Sequence, residues 1–110
     1  MSAKLLVIIS TGESQKAWTG LIYAHNARKE GWMEDVKVVF FGPAEHLLVE
    51  DEEIAKMAKA LAKTEKPFAC KFLSDRDKIS EKIEALGVEV AYAGTVISGF
   101  IKDGYVPMVF

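Results

Sequence analysis

The chain of 110 residues has one cysteine, Cys70. A single thiol excludes an internal disulfide framework and any cysteine-rich zinc or iron–sulfur centre within one chain. Arginine is nearly as scarce. Of 14 basic residues only Arg28 and Arg76 are arginines, and forked recognition of phosphate favours that side chain. A dedicated RNA or nucleotide-polyphosphate surface is therefore not expected, and a net charge of −2 adds no attraction to nucleic acid. The histidines, His25 and His46, show no zinc-ligand spacing with the lone cysteine, and no cofactor is expected. No apolar run approaches the ~20 residues of a membrane helix. The apolar part of the opening "MSAKLLVIIS" is short for a signal peptide. Read as a strand, it goes with a cytoplasmic protein.

What is present is a core. Half the residues are hydrophobic and 27% are charged, a balance that suits one compact domain spanning residues 1–110. Apolar runs alternate with amphipathic ones. "KLLVIIS" (4–10) is almost continuous Leu, Val and Ile, the pattern of a strand buried on both faces. Residues 14–31 have helical spacing, with Trp18, Leu21, Ile22 and His25 predicted on one face and Gly31 as the stop. A second strand is predicted at 36–42 and a short helix opened by Pro43 after it. Ile54, Met57, Ala58 and Leu61 then mark a core stripe on a helix whose acids crowd its start. "PFACKF" (67–72) is the third strand. Residues 74–87 are predicted as one helix, capped by Ser74 and stopped by Gly87. Strand four (88–94), a short helix (95–104) and a last strand (105–110) complete the order. Pro107 confines that last strand to an edge or a bulge.

This βαβαβαβαβ alternation predicts a three-layer α/β/α domain with a five-stranded, mainly parallel sheet. The helix "TVISGFI" is apolar most of the way round, and Trp32 and "VPMVF" add exposed apolar surface. A chain this small has little material to cover them, so a homo-oligomer is expected.

In parallel α/β sheets ligands bind beyond the carboxyl ends of the strands. Those ends are Ser10-Thr11-Gly12, Gly42-Pro43, Cys70-Lys71 and Ala93-Gly94-Thr95. Cys70 thus falls at the candidate edge, beside Lys71 and just before a helix, both of which favour a thiolate. The opposing reading is a small apolar residue packed inward. His46 lies just beyond strand two, as a ligand contact or a solvated loop residue, and His25 reads as a packed helix histidine. "STGES" (10–14) partly resembles a flavodoxin phosphate loop, but Glu13 sits where phosphate would go, and GxGxxG and GxxxxGK[ST] are both absent. Helix capping by Ser10, Thr11 or Ser14 is the plainer reading. The acidic run "EDEE" (50–53) reads as a solvated helix start.

The segment "PFACKFLSDRDKISEKIEALGVEVAYAG", with "VVFFGPAEHLL" before it, resembles the DsrE/DsrF-like family of small sulfur-relay proteins. The resemblance spans the chain. It implies flavodoxin-like layering, a trimeric or hexameric homo-oligomer, and Cys70 as the acceptor that carries a persulfide between donor and acceptor proteins. Thr11, Gly12, His46, Lys71, Gly94 and Thr95 are then expected to line the site, with Lys71 and the following helix stabilising the thiolate. The alternatives are a non-catalytic oligomeric binding module of the same fold with a buried, inert Cys70 and, more remotely, a flavin-binding protein. No nucleic acid and no membrane partner is expected.

Overall fold

The computed structural model describes residues 3–110. Five strands, β1 (Lys4–Ile9), β2 (Asp35–Phe40), β3 (Phe68–Cys70), β4 (Glu89–Ala91) and β5 (Tyr105–Val109), form one sheet in the order β4-β3-β2-β1-β5. Every neighbouring pair is parallel. The helices are α1 (Ser14–Lys29), α2 (Ala44–Glu50), α3 (Glu52–Ala62), α4 (Lys71–Arg76), α5 (Ser80–Glu84) and α6 (Ala93–Lys102). Among the described residues no helix is long and apolar enough to cross a membrane.

The two faces of the sheet are covered unequally. Leu5, Val7, Ile9, Val36, Val38 and Phe40 point toward α1, α2, α3 and α5 and form the main core. Leu6, Ile8, Val39 and Cys70 point the other way, under α6 and Leu73 of α4. Alternation along each strand requires this division. β1 is buried on both faces, as its unbroken Leu/Val/Ile run predicts. β5 lies at the sheet edge, with Pro107 opposite Leu6, which agrees with the expected edge position.

The buried face of α1 differs from the predicted one. Ala17, Gly20, Leu21, Ala24 and Ala27 are buried, whereas Trp18 is 40% exposed. Small residues let the helix axis approach the sheet, and the large ones stand at the flanks. At Gly20 the approach is so close that a Cβ would fall 2.6 Å from Ile9 Cδ1 and 2.7 Å from Phe110 Cγ. Gly20→Ala is expected to destabilise by a net ~1 kcal/mol, because overpacking costs about 1–3 kcal/mol and better helix propensity offsets about 1 kcal/mol. Chemical denaturation checks this; a stabilised variant would show that α1 yields freely.

The single helix predicted over 74–87 is two helices. Leu73 packs on the α6 side of the sheet, while Ile79 and Ile83 pack on the other. One straight helix cannot serve both faces, so the chain turns at Asp77–Ile79, with Lys78 at φ 59°. Ser74 is not an N-cap. It is fully buried within α4, and its Oγ lies 2.7 Å from Ser80 Oγ, tying the two helices together. The last helix likewise starts two residues earlier than predicted, at Ala93. The expected core stripe of α3 is seen: Ile54, Ala58 and Leu61 are buried and Met57 packs beside them. Its cap is Asp51, whose Oδ1 accepts the Glu53 and Ile54 amides at 3.0 and 3.1 Å.

Candidate functional site

The carboxyl ends of all five strands lie along one edge, as parallel pairing demands. The strand order reverses between β1 and β5, the position at which doubly wound sheets form their ligand crevice. Here that crevice is bridged by the chain itself. The Phe110 main-chain oxygen accepts the Ser10 amide at 2.7 Å and the Thr11 amide at 3.2 Å. Thr11 Oγ1 accepts the Glu13 amide at 3.0 Å. These are the donors a flavodoxin-like phosphate loop would turn toward its ligand, and each has an internal partner. Ser14 is also engaged, donating from Oγ to Asp51 at 2.5 Å.

The predicted site residues fall into two groups. In the first, the β1–α1 and β2–α2 loops touch. A Cβ on Gly12 would lie 3.1 Å from Pro43 Cβ, and Gly42, at φ 95°, sits against Ser10. Thr11, Gly12 and His46 belong here. His46 is bound to Asp77, with Nε2 2.7 Å from Oδ2. Arg76 donates to both oxygens of the same carboxylate, at 2.8 and 3.0 Å. These contacts, Arg76 first and His46 second, hold Asp77 well below the usual carboxylate range.

The second group surrounds the β3–α4 and β4–α6 junctions, which adjoin because Cys70 pairs with Ala91. Cys70 is the last residue of β3 and the residue immediately before α4. Its side chain is 5% exposed and belongs to the apolar cluster of Leu6, Ile8, Val39 and Ala93, flanked by Phe68, Leu73, Val96 and Phe100. Lys71, expected to line the site and stabilise a thiolate, has its ammonium engaged along its own helix. Its ammonium donates to Asp75 Oδ2 at 2.7 Å, one helical turn on, because residues four apart on a helix face each other. That hydrogen bond raises the Lys71 pKa and lowers that of Asp75. Gly94 and Thr95 are exposed in the first turn of α6. Two large side chains next to this junction also face solvent, Phe72 at 66% and Tyr92 at 59%.

One titratable residue escaped the sequence reading. Glu45, in the first turn of α2, is 1% exposed. Its Oε2 accepts the Gly42 amide at 3.1 Å, while Oε1 is buried with no hydrogen-bond partner among the described residues. Burial pushes its pKa up to about 7 and the charge of Asp77 adds to this, against the pull of the Gly42 amide, His46 and Arg76. The signal was its spacing: Glu45 shares a helical stripe with Leu48, on the side of α2 that enters the core.

A groove of about 410 Å³ lies elsewhere, between α1 and the start of α3, lined by Ser14, Gln15, Trp18, Thr19, Asp51, Glu53 and Ile54. It opens on the face of the sheet opposite Cys70.

No family model matches the chain, and no curated protein matches it in sequence. Among solved structures it is similar to the conserved protein of unknown function BT1422 from Bacteroides thetaiotaomicron. The TM-score is 0.86 at 19% identity, over 97% of this chain and 95% of that one. At that identity the likeness establishes a shared fold across the full length.

Proposed function

We propose that this chain is an oligomer-forming module of the DsrE-like kind, in which copies pack through β5 and α6 and Cys70 is a sheltered thiol. The observation that carries this reading is the state of β5. The strand is at the sheet edge, and its apolar side chains are bare on both faces: Val106 (56% exposed) and Met108 (37%) on the α1 side, Val109 (66%) on the α6 side. Ile101 of α6 is a further large apolar side chain left exposed, at 48%. An apolar edge strand left uncovered is an aggregation hazard, which a symmetric assembly removes. A homotrimer or hexamer is the assembly that the family resemblance favours.

Sedimentation or light scattering tests it. The chain is expected to run as a multimer at micromolar concentration, and Val109→Lys, which sets a charge in the apolar surface, is expected to shift it to single chains. A wild-type chain that is monomeric at high concentration would remove the proposal.

Sulfur transfer at Cys70 is the second reading, favoured by its place at the carboxyl end of β3 beside the exposed Phe72 and Tyr92. In that chemistry the Cys70 thiolate attacks the outer sulfur of a donor persulfide. The donor S–S bond breaks, its thiolate leaves and takes a proton, and Cys70 holds the transferred sulfur until an acceptor thiolate attacks that sulfur in turn. At 5% exposure Cys70 is expected to react with a thiol reagent at least about 100-fold more slowly in the native protein than in urea. Fast native labelling, together with one sulfur added from a persulfide donor in the wild type and none in Cys70→Ser, would establish the second reading over a sheltered thiol.

A further inference from the structure

We propose that Glu45 is a proton-operated latch on the β2–α2 turn: its neutral carboxyl holds the turn closed, and loss of the proton opens the turn at the carboxyl edge of the sheet. The geometry supplies three parts. The first is a carboxyl group that is 1% exposed, with one oxygen lacking any partner among the described residues. A neutral acid tolerates such an environment; a carboxylate without water or a full set of donors does not. The second is the turn it joins: Oε2 accepts the Gly42 amide at 3.1 Å, beside the main-chain bond from the Glu45 amide to the Gly42 carbonyl at 3.0 Å. Gly42 is at φ 95°, a conformation that a glycine leaves as readily as it enters. The third is what the turn holds. Pro43 abuts Gly12, Gly42 abuts Ser10, and His46 one residue on is bound to Asp77.

The charged groups acting on Glu45 come from two places. Burial, the largest effect, opposes ionisation, and so does Asp77, in the turn after α4; the Gly42 amide, His46 on its own helix and Arg76 from the end of α4 favour it. Asp77 is already bound to Arg76 and His46, so the Arg76 charge and the His46 ring are committed to a neighbouring carboxylate. An ionised Glu45 therefore finds water more readily than a counter-ion. Opening the turn provides that water and displaces Pro43 from Gly12, which reshapes the edge where Thr11, Gly12 and His46 meet. This inference stands whichever reading of Cys70 holds.

Amide hydrogen exchange tests it residue by residue. After correction for intrinsic rates, Gly42 protection in the wild type is expected to fall at least about tenfold between pH 5.5 and pH 8. In Glu45→Gln, which keeps the acceptor but cannot ionise, it is expected to stay level. Unchanged protection in the wild type overturns the latch, and so does an equal fall in the variant. A second measurement covers a variant that does not fold. The side-chain carboxyl carbon of Glu45 in the wild type is expected to titrate near neutrality; a midpoint near 4.5, the ordinary value, overturns the latch.

Discussion

Phe40→Ala is expected to lower the unfolding free energy by about 3–5 kcal/mol, the range for truncating a fully buried aromatic. Phe40 is 0% exposed and ends β2, between β1 and β3. It faces the thick side of the sheet, where its cluster includes Ala44, Leu47 and Leu48 of α2. Removing the ring leaves a cavity that four packed elements cannot easily fill. A domain of this size has about 5–15 kcal/mol in total, so the variant should sit near the limit of folding. Phe100 on α6 gives the contrast. It is half-buried on the thin side, at 5.8 Å from the Phe68 ring and 5.0 Å from the Tyr105 ring. Phe100→Ala is expected to lose about 2 kcal/mol in the isolated chain. Urea denaturation of the two variants reads both values. A Phe40→Ala loss below about 1 kcal/mol would mean that the core is not centred where α1, α2 and α3 cover the sheet.

That asymmetry between the faces marks how far the sequence could be read. Strand identity was legible because the apolar run of "KLLVII" is buried on both sides, while "DVKVVF" alternates at its start, with Asp35 and Lys37 part-exposed, and is buried over its last three residues. The order of elements then requires parallel pairing, since each crossover is a helix. What periodicity cannot show is the distance between layers. On α1 the spacing pointed to Trp18, Ile22 and His25 around Leu21, the larger residues, yet the sheet takes the stripe of Ala17, Gly20, Leu21, Ala24 and Ala27. Both stripes have helical spacing; only the close approach at Gly20 distinguishes them. The break between α4 and α5 was hidden for a similar reason. Residues 74–87 read as one helix with Ser74 as its cap, and the break shows only when the sheet assigns Leu73 and Ile79 to opposite faces.

The candidate site was legible in position and not in chemistry. Parallel topology brings Thr11, Gly12, His46, Cys70, Lys71, Gly94 and Thr95 to one edge, as expected. Side-chain partners are decided at shorter range. Lys71 is next to Cys70 in sequence, but on a helix its ammonium meets the carboxylate four residues on. Cys70 ends its strand on the face that α6 covers, so a residue one position along would have had the opposite orientation. Glu45 was passed over because an acid in the first turn of a helix is ordinarily a solvated partner of the helix dipole. Only the depth of α2 against the sheet makes it a buried group.

Glu45→Gln is expected to make the protein more stable at pH 8 by about 3 kcal/mol, and to change it little near pH 5. The folded-state pKa of Glu45 is about 7, against an ordinary 4.5. A carboxyl group raised in this way favours folding while it is protonated in both states. Its contribution is complete below pH 4.5 and is lost as pH rises through 7. The gap of about 2.5 units, at 1.36 kcal/mol per unit, sets the ceiling of about 3 kcal/mol. Glutamine keeps an acceptor for the Gly42 amide and cannot ionise, so the two proteins should differ by less than about 1 kcal/mol at pH 5. Asp77 acts in a separate window. Its pKa is held below 3.8, so its contribution is present above that pH and lost on acidification, outside the range where Glu45 titrates. Equilibrium urea unfolding of both proteins from pH 5 to pH 8 isolates the effect. A wild type whose stability is flat across that range, or a variant whose gain is the same at both ends, would show that the buried carboxyl finds water or a donor without moving the chain.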